Sequence, residues 1–272
     1  MSTSASDPFG LVGRICAVTG AGSGIGRGIA LALAMEGARV AVLDRNAEGA
    51  EETVALAEAR SGVAIPVMCD VADGASIEAA RQTVSDRFGA VDVLVNNAGM
   101  IRPGALENLP LEEWNALLAV NLTGYFLCSQ VFGKAMRERG SGVLVHVASI
   151  AADHATPNSG AYSVAKAGVT MLSRQLALEW GPMGVRSNAI HPGMIYTPLS
   201  QAMYDEPGVM ERRSGAIPTR RIGRPDDIAQ VVVFLASDRA SYVNGTEVTV
   251  DGGFVRNLMG LVPRVGYNRP AD

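Results

Sequence analysis

Lysine, histidine, cysteine and aromatic residues are scarce in this chain of 272 residues, which has two lysines, three histidines, three cysteines and 5% aromatics. Cys16, Cys69 and Cys128 are widely spaced in apolar runs and form no Cys-x-x-Cys pair. This pattern predicts buried, reduced thiols in a cytoplasmic protein. The histidines have no partners at the spacing of metal ligands, so no metal site is expected.

The sequence also lacks the features of membrane, secreted and nucleic-acid-binding proteins. No uncharged apolar run is long enough to span a bilayer, and the N-terminal residues have no cationic segment followed by an apolar one. A net charge of −4 and a pI near 5.5 argue against binding to nucleic acid or anionic membranes. We therefore expect a soluble cytoplasmic protein with no signal peptide and no nucleic-acid or membrane partner.

What the sequence contains is a regular alternation of short apolar runs and helical patterns. Most of the runs are continuously apolar and β-branched, which is typical of parallel strands covered on both faces. Strands are predicted at residues 14–19, 39–43, 64–69, 91–95, 143–148, 185–190 and 247–250. Helices are predicted at residues 25–36, 47–60, 74–88, 111–139, 159–180 and 225–236. The alternation predicts an α/β fold: a single doubly wound Rossmann domain over residues 1–272, with a seven-stranded parallel sheet and helices on both faces.

Two segments fall outside this alternation. Residues 194–223, rich in proline, glycine and arginine, are predicted to form a mobile substrate lid. Residues 254–272, the C-terminal tail, include the run 258–263, which is too apolar for a free disordered end. We expect the tail to pack on the lid or on a neighbouring subunit, with a frayed terminus as the alternative.

A glycine-rich turn joins the first predicted strand to the first predicted helix. Its sequence, Thr-Gly-Ala-Gly-Ser-Gly-Ile-Gly at residues 19–26, suits a tight turn in which a helix N-terminus approaches a pyrophosphate. Its position between strand and helix is the one that a dinucleotide-binding fingerprint requires, although a plain tight turn is the alternative. The predicted cofactor contacts here are Gly20, Ser23, Gly24, Ile25 and Gly26.

Asp44 ends the second predicted strand, 18 residues after Gly26. A carboxylate there accepts hydrogen bonds from an adenosine ribose and repels a 2′-phosphate, so NAD is predicted and NADP is less favoured. Two like charges about 4 Å apart cost ~4 kcal/mol at an effective dielectric near 20. Arg45 follows at once and would offset part of this repulsion by meeting a phosphate.

Tyr162 lies four residues before Lys166, which is one of the two lysines of the chain. In a helix the two side chains would share one face. A free tyrosine has a pKa near ~10 and is a poor proton carrier at neutral pH. An adjacent lysine cation is expected to lower the pKa of the phenol. The pair therefore indicates acid/base chemistry at a carbonyl or an alcohol.

These features stand in the order found in the short-chain dehydrogenase/reductase family, which the chain resembles over nearly its whole length. Ser149 lies 13 residues before Tyr162, as is usual in that family. Any one landmark is modestly specific, whereas the ordered set is very specific. The landmarks are TGAGSGIG at 19–26, Asp70-Val71, Asn96-Asn97-Ala98-Gly99, Asn121, Ser149, Tyr162 with Lys166, and Pro192-Gly193 with Thr197.

The resemblance implies a role for each landmark. Tyr162 would exchange the proton with the substrate oxygen, Ser149 would hydrogen-bond that oxygen, and Lys166 would hold the nicotinamide ribose and lower the Tyr162 pKa. Asn121 would place a water that links Lys166 to solvent, with a helix kink or packing as the alternative, and Asn96 would support its turn. The other implied cofactor contacts are Asp70 and Val71 at the adenine, Asn97, Ala98 and Gly99 at the adenosine-side ribose, and Pro192, Gly193, Ile195 and Thr197 at the nicotinamide carboxamide.

The function implied is an oxidoreductase that transfers a hydride between NAD and a small secondary alcohol or ketone of polyol, sugar or hydroxy acid type. An NADPH-dependent 3-oxoacyl-thioester (acyl carrier protein) reductase and a catalytically silent nucleotide-binding module are the alternatives. Loops 100–108, 150–159 and 194–223 would shape the substrate site. Apolar helix faces around 125–132 and 169–180 pair across subunits in this family, so a homotetramer is expected, with a dimer as the alternative.

Predictions can also be made for the three histidines and for Met183. His146 is expected in the core. His191, which precedes the Pro-Gly turn, is expected to help shape it, whereas His154 would line the substrate mouth or lie in a solvated loop. Reductases of this family that act on acyl carrier protein present basic residues beside the active-site entrance, and one such position falls near Met183. A neutral thioether there favours a small free alcohol.

Overall fold

Seven parallel strands form the sheet of the computed structural model, which describes residues 7–262 and residue 266. The predicted α/β fold, with seven strands and parallel pairing throughout, is confirmed. Strand ends differ from the prediction by two residues or fewer. The strands are β1 (Ile15–Thr19), β2 (Arg39–Asp44), β3 (Val63–Met68), β4 (Val93–Asn96), β5 (Gly142–Val147), β6 (Val185–Pro192) and β7 (Glu247–Val250).

The strand order across the sheet is β3-β2-β1-β4-β5-β6-β7. Strand β1 therefore has β2 on one side and β4 on the other, and the direction of winding reverses between β1 and β4. In open α/β sheets the crevice outside the carboxyl ends of the strands at this switch point is where ligands bind. The glycine-rich turn, which follows β1, lies at that point.

Each of the six predicted helices is present, although the helix predicted at 111–139 is divided in two, and two short helices in the lid were not predicted. The α-helices are α1 (Gly24–Met35), α2 (Ala47–Glu58), α3 (Gly74–Arg87), α4 (Leu111–Leu118), α5 (Gly124–Arg139), α6 (Tyr162–Trp180), α7 (Gln201–Tyr204), α8 (Val209–Ala216) and α9 (Pro225–Ala236). Single 3₁₀ turns lie at Leu106–Asn108, Ile150–Ala152, Gly181–Met183, Asp238–Ala240, Phe254–Arg256 and Leu258–Leu261.

Helices cover both faces of the sheet, because successive strand residues point to opposite faces. One core cluster joins α1, α2 and α9 to strand residues such as Val18 and Val42, and the other joins α3, α5 and α6 to Ala17 and Leu43. The three cysteines are buried and free, as predicted. Burial raises the pKa of the Cys16 thiol to about 12, so this thiol stays protonated at neutral pH.

Residues 111–139 do not form the single uninterrupted α-helix that the sequence predicted. A π-helical turn, Ala119–Thr123, separates α4 from α5. Asn121 lies in this turn and is fully buried, and its side-chain amide binds both backbone polar groups of Met100. A π turn adds a residue to the helical turn, and such turns are frequent at functional sites.

The stretch Leu111–Arg139 is also, within the described residues, the one helical stretch long and apolar enough to cross a membrane when up to two charged residues are allowed. Of its most apolar window, 44% is buried inside the fold. Its residues Phe132 and Met136 belong to the core cluster beneath the sheet. Core helices of soluble proteins meet the same criterion.

The lid begins and ends beside the sheet and carries two short helices, α7 and α8. Its ends are tied together where the Tyr196 N–H donates to the Gly223 carbonyl (2.9 Å) and the Gly223 N–H donates to the Met194 carbonyl (2.9 Å). Phe254, at the start of the tail, packs against the apolar cluster of the lid. The Asn257 side chain donates to the Ala216 carbonyl of α8 (2.9 Å). Residues 263–265 and 267–272 of the predicted tail lie outside the described residues.

Candidate active site

A cavity of about 590 Å³ lies at the carboxyl ends of the strands. Its lining includes every residue predicted as a catalytic or cofactor contact except Gly26 and Asn121. The predicted residues brought together there are Gly20, Ser23, Gly24, Ile25, Asp44, Asp70, Val71, Asn97, Ala98, Gly99, Ser149, Tyr162, Lys166, Pro192, Gly193, Ile195 and Thr197.

The glycine-rich turn is held against the segment that follows β4. The Thr19 hydroxyl accepts from the backbone N–H groups of Asn97 (2.9 Å) and Ala98 (3.0 Å). Gly20 has a φ of +63°, and a Cβ there would lie 2.7 Å from the Ala98 Cα. The turn and the segment after β4 therefore approach each other closely, and the N-terminus of α1 faces the cavity beside them.

Gly26 lies outside the cavity lining because its role is to let two backbone segments pack. A Cβ at this position would collide with the Gly20 carbonyl oxygen and with the Asn97 side-chain amide. The Asn97 amide itself donates to the carbonyls of Thr19 (3.0 Å) and Gly20 (3.2 Å), so it has little freedom to move.

Gly26→Ala is therefore expected to lower the free energy of unfolding by about 1–3 kcal/mol, the usual cost of overpacking. Urea unfolding would measure this change in the free energy of unfolding. Gly74→Ala is the matched control, because Gly74 also lies in the first turn of a helix and a Cβ there would meet nothing within 4 Å. Equal stability of the two variants would contradict the packing argument.

Asp44 is fixed by backbone donors at the end of β2. One carboxylate oxygen accepts from the Gly22 N–H (2.8 Å) and the other accepts from the Asn46 N–H (2.9 Å). Asp44 lines the cavity together with Arg45, and Asp70 and Val71 line it after β3. This end of the cavity thus carries two carboxylates and one guanidinium.

Ser149 and Tyr162 lie at the opposite end of the cavity. Ser149 follows β5, and its hydroxyl accepts from the Ala151 N–H (3.1 Å). Tyr162 is the first residue of α6, and its N–H donates to the Ser159 carbonyl (3.1 Å). Burial raises the pKa of the Tyr162 phenol, and a hydrogen bond with the Ser149 side chain opposes part of that increase.

Lys166 lies one helical turn beyond Tyr162 and is buried. Its ammonium donates to the Tyr125 hydroxyl (3.1 Å) and to the Val147 carbonyl (2.8 Å), and burial lowers its pKa to about 7. The ammonium nitrogen is 5.8 Å from the centre of the Tyr162 ring. Burial is the main influence on the Tyr162 pKa and raises it. The lowering of this pKa by Lys166 stays a prediction.

Asn121 does not reach the cavity. Its side-chain oxygen accepts from the Met100 N–H (2.8 Å) and its side-chain nitrogen donates to the Met100 carbonyl (2.8 Å). These bonds and the π turn agree with the alternative of a helix kink or packing, and the role of placing a water beside Lys166 stays a prediction. Asn96 is buried and donates to Ser129 (3.0 Å), as expected of a residue that supports its turn.

The segment after β6 completes the wall of the cavity. Strand pairing of β6 with β7 extends to Pro192, and the Gly193 N–H donates to the Val250 carbonyl (2.9 Å). The Ser200 hydroxyl donates to the Ile195 carbonyl (2.9 Å) and accepts from the Thr197 N–H (3.0 Å). These bonds fix the first turn of the lid.

All three predicted substrate loops contribute to the cavity lining, but the sequence did not single out their individual residues. Among the lining residues that the sequence did not anticipate are Tyr204 from α7 and Arg213 from α8, both in the lid. The other unpredicted lining residues are Cys69, Met100, Ile101, Val120, Val147, Ala148, Ile150, Ala151, Thr156, Ser159, Met194, Pro198, Leu199, Ser200 and Met203.

The histidines take no part in the cavity lining. His146 is a buried core residue, as predicted, and burial lowers its pKa to about 3. His191 lies in β6, directly before the Pro-Gly turn, and is buried between Thr170 (2.9 Å) and Asp153 (2.8 Å). His154 is exposed and takes the predicted alternative, a solvated loop. Within the described residues, no group of three or more His, Cys, Asp or Glu side chains could hold a metal ion.

Met183 does not line the cavity. Helix α6 starts at Tyr162, at the cavity, and ends at Trp180, and Met183 follows in a 3₁₀ turn. At 1.5 Å per residue, the end of α6 lies roughly 21 Å from Lys166 along the helix axis. The position of Met183 beside an active-site entrance is therefore not supported within its own subunit.

The chain matches the family model described as enoyl-(acyl carrier protein) reductase over residues 20–255. It is 46% identical over 246 residues to the D-threitol dehydrogenase of Mycolicibacterium smegmatis, covering 90% of this chain and 94% of that one. It is 39% identical over 245 residues to the 2-(R)-hydroxypropyl-CoM dehydrogenase of Xanthobacter autotrophicus (89% and 98% covered). Identity to the 3-oxoacyl-[acyl-carrier-protein] reductase of Thermotoga maritima is 37% over 245 residues (90% and 99% covered).

Two solved structures extend the comparison to the fold. The short-chain type dehydrogenase/reductase from Mycobacterium marinum superimposes with a TM-score of 0.86 at 32% identity, covering 91% of this chain and 98% of that one. The gluconate 5-dehydrogenase of Burkholderia cenocepacia, in complex with NADP and tartrate, superimposes with a TM-score of 0.87 at 34% identity (92% and 98% covered).

Proposed function

We propose that this chain, which belongs to the short-chain dehydrogenase/reductase family, is an oxidoreductase. It transfers a hydride between NAD and a small secondary alcohol or ketone of polyol, sugar or hydroxy acid type. The observation that carries the proposal is that Ser149, Tyr162 and Lys166 line one cavity with the glycine-rich turn. The D-threitol and gluconate dehydrogenases among its relatives support a small hydroxylated substrate.

The cavity fits a nicotinamide dinucleotide. When bound, the cofactor supplies the acceptor of the hydride in oxidation and its donor in reduction. Glycines leave the α1 N-terminus open to a pyrophosphate, and Asp44, Asp70 and Val71 line the end suited to adenosine. Asn97, Ala98 and Gly99 would adjoin the adenosine-side ribose, and Pro192, Gly193, Ile195 and Thr197 would hold the nicotinamide.

Proton transfer is assigned to the buried end of the cavity. Tyr162, as the phenolate, would accept the proton of the substrate hydroxyl in oxidation, and as the phenol it would return a proton to the carbonyl oxygen in reduction. Ser149 holds the reacting oxygen and so fixes its distance from Tyr162. Lys166 is held by Tyr125 and Val147 and would bind the nicotinamide ribose. Asn121 acts on the site through the Met100 backbone.

A substrate panel tests the proposal directly. Sugars, polyols, hydroxy acids and 3-oxoacyl thioesters would each be assayed with NAD and with NADP, in both directions. NAD-dependent oxidation of a small alcohol is the expected result. The similarity to a 3-oxoacyl-[acyl-carrier-protein] reductase favours the second candidate, and NADPH-driven reduction of a carrier-bound 3-oxoacyl group that exceeds every alcohol would establish it. Turnover of any substrate would eliminate a silent nucleotide-binding module.

We propose that the enzyme prefers NAD to NADP because the Asp44 carboxylate would repel a 2′-phosphate. Asp44→Asn keeps the shape of the side chain but removes its charge, and repulsion of a 2′-phosphate is worth up to ~4 kcal/mol at about 4 Å. We expect the ratio of kcat/KM for NADP to that for NAD to rise at least ~10-fold, with Arg45 then free to meet the phosphate.

Steady-state kinetics with both cofactors would measure this ratio for Asp44→Asn. Asp70→Asn is the control, because Asp70 lines the same end of the cavity but is assigned to the adenine rather than to the ribose. A wild-type enzyme that already prefers NADP, the cofactor bound by the gluconate 5-dehydrogenase relative, would overturn the proposal.

We further propose a cytoplasmic homotetramer in which residues 1–272 form one catalytic domain with its lid (194–223) and tail (254–272). Tyr125 and Phe132, which the sequence assigned to a surplus apolar face, are buried in the core. Val164, Met171 and Leu178 are exposed instead, at seven-residue spacing along α6. This exposed apolar stripe supports pairing of α6 between subunits.

A further inference from the structure

The cavity has one cationic side chain that the proposed chemistry leaves unused. Asp44, Arg45 and Asp70 follow β2 and β3 at the adenosine end. Lys166 is buried and bonded within the fold. The remaining charged side chain in the lining is Arg213, which extends from α8 of the lid.

Arg213 is half-buried, and no partner for its charge is found among residues 7–262 and 266. Its guanidinium carbon lies 5.3 Å from the centre of the Tyr204 ring, and no ion pair or hydrogen bond satisfies its N–H groups there. By contrast, Arg221 of the same lid binds Asp227 through two bonds (2.7 and 2.6 Å). Among the described residues, the one fully buried side-chain polar atom without a partner is the Asn96 oxygen, so the guanidinium nitrogens of Arg213 remain accessible. Its five N–H donors are therefore available to a ligand in the cavity.

The surroundings of Arg213 define what would pair with it. Tyr204 packs against a second aromatic ring, that of Tyr196 (5.7 Å between centres), so the ring face that supports the guanidinium is itself held in place. Met194 packs in the same apolar cluster as Tyr204, and both line the cavity. Apolar surroundings lower the local dielectric and strengthen an ion pair. The planar guanidinium matches a carboxylate through two parallel hydrogen bonds.

We propose that Arg213 binds a carboxylate of the substrate while Ser149 and Tyr162 bind the reacting hydroxyl, so that the enzyme acts on a hydroxy acid in preference to a neutral polyol. This inference rests on the proposed oxidoreductase function and names the substrate class of that same site. The reaction is the one given above, with a keto acid as the product of oxidation. A neutral alditol supplies only hydroxyl oxygens to Arg213 and leaves its charge uncompensated.

Matched pairs of substrates test the assignment. Aldonates of four to six carbons and the corresponding alditols would be assayed with saturating NAD. Arg213→Gln is expected to lower kcat/KM for the aldonates about 10- to 100-fold, mainly through KM, the scale of a lost charge-assisted bond. Activity on the alditols should change less than about threefold. Arg212→Gln is the control, because Arg212 is the neighbouring arginine of α8 but is exposed and absent from the lining.

A binding measurement that needs no turnover accompanies the kinetics. Aldonate added to the enzyme with NAD should raise the Tm of the wild type and of Arg212→Gln, but not that of Arg213→Gln. A wild type that shows no rise in Tm would overturn the assignment. So would an Arg213→Gln variant that loses aldonate and alditol activity equally, or whose KM for NAD rises instead. Absence of turnover with every alcohol would refute the oxidoreductase function, and the Tm comparison would still decide the role of Arg213.

Discussion

Replacement of Tyr162 by phenylalanine is expected to lower turnover at least ~10²-fold, the scale of a lost general acid/base, while NAD affinity stays within a few-fold. The ring would keep its place at the start of α6, and Lys166 would keep its bonds to Tyr125 and Val147. Only the phenolic oxygen, the atom beside Ser149, is removed. The substitution should therefore lower kcat and leave the affinity for the cofactor nearly unchanged.

Tyr242→Phe is the matched control for Tyr162→Phe. Tyr242 is fully exposed and absent from the lining of the cavity, so removal of its hydroxyl should leave kinetics unchanged. Cofactor binding would be measured by titration and turnover by steady-state assay with the best substrate of the panel. Near-wild-type turnover of Tyr162→Phe would remove Tyr162 from the mechanism.

The sheet and the glycine-rich turn were predictable from the sequence because local pattern determines both. Continuous apolar runs mark strands that are covered on both faces, and glycines at residues 20 and 26 mark backbone contacts that exclude a Cβ. The π turn at Asn121 was not predictable in this way. It is coupled to the Met100 backbone, 21 residues away in sequence, and helical periodicity carries no information about such a contact.

Two properties of the site depend on tertiary structure and could not be derived from spacing. The four-residue interval brought Tyr162 and Lys166 to one helix face, but burial is the main influence on both of their pKa values. Lys166 is buried against Tyr125 of α5 and Val147 of β5. Arg213 is one of several arginines in the lid, and its sequence neighbour Arg212 is exposed. Only the packing of Tyr204 and α8 distinguishes the two.

The buried Lys166 is expected to make the free energy of unfolding increase with pH between about pH 7 and 10.5. Burial lowers the pKa of this ammonium to about 7 in the folded protein, whereas its ordinary value is 10.5. Between these two values the unfolded chain binds one more proton than the folded chain, so stability increases by about 1.4 kcal/mol per pH unit. Below pH 7 the cost of burying the charge is fully present, and above pH 10.5 it is absent.

The free energy of unfolding of the wild type relative to that of Lys166→Met should therefore increase by roughly 2–3 kcal/mol between pH 7 and pH 9. The Tyr125 hydroxyl still donates to the Val147 carbonyl, so the substitution leaves these groups satisfied. Urea unfolding at one protein concentration and at pH 7, 8 and 9 measures the difference. Lys134→Met is the control, since Lys134 is the other lysine of the chain and is exposed on α5. Parallel stability curves for the wild type and Lys166→Met would show that Lys166 keeps an ordinary pKa.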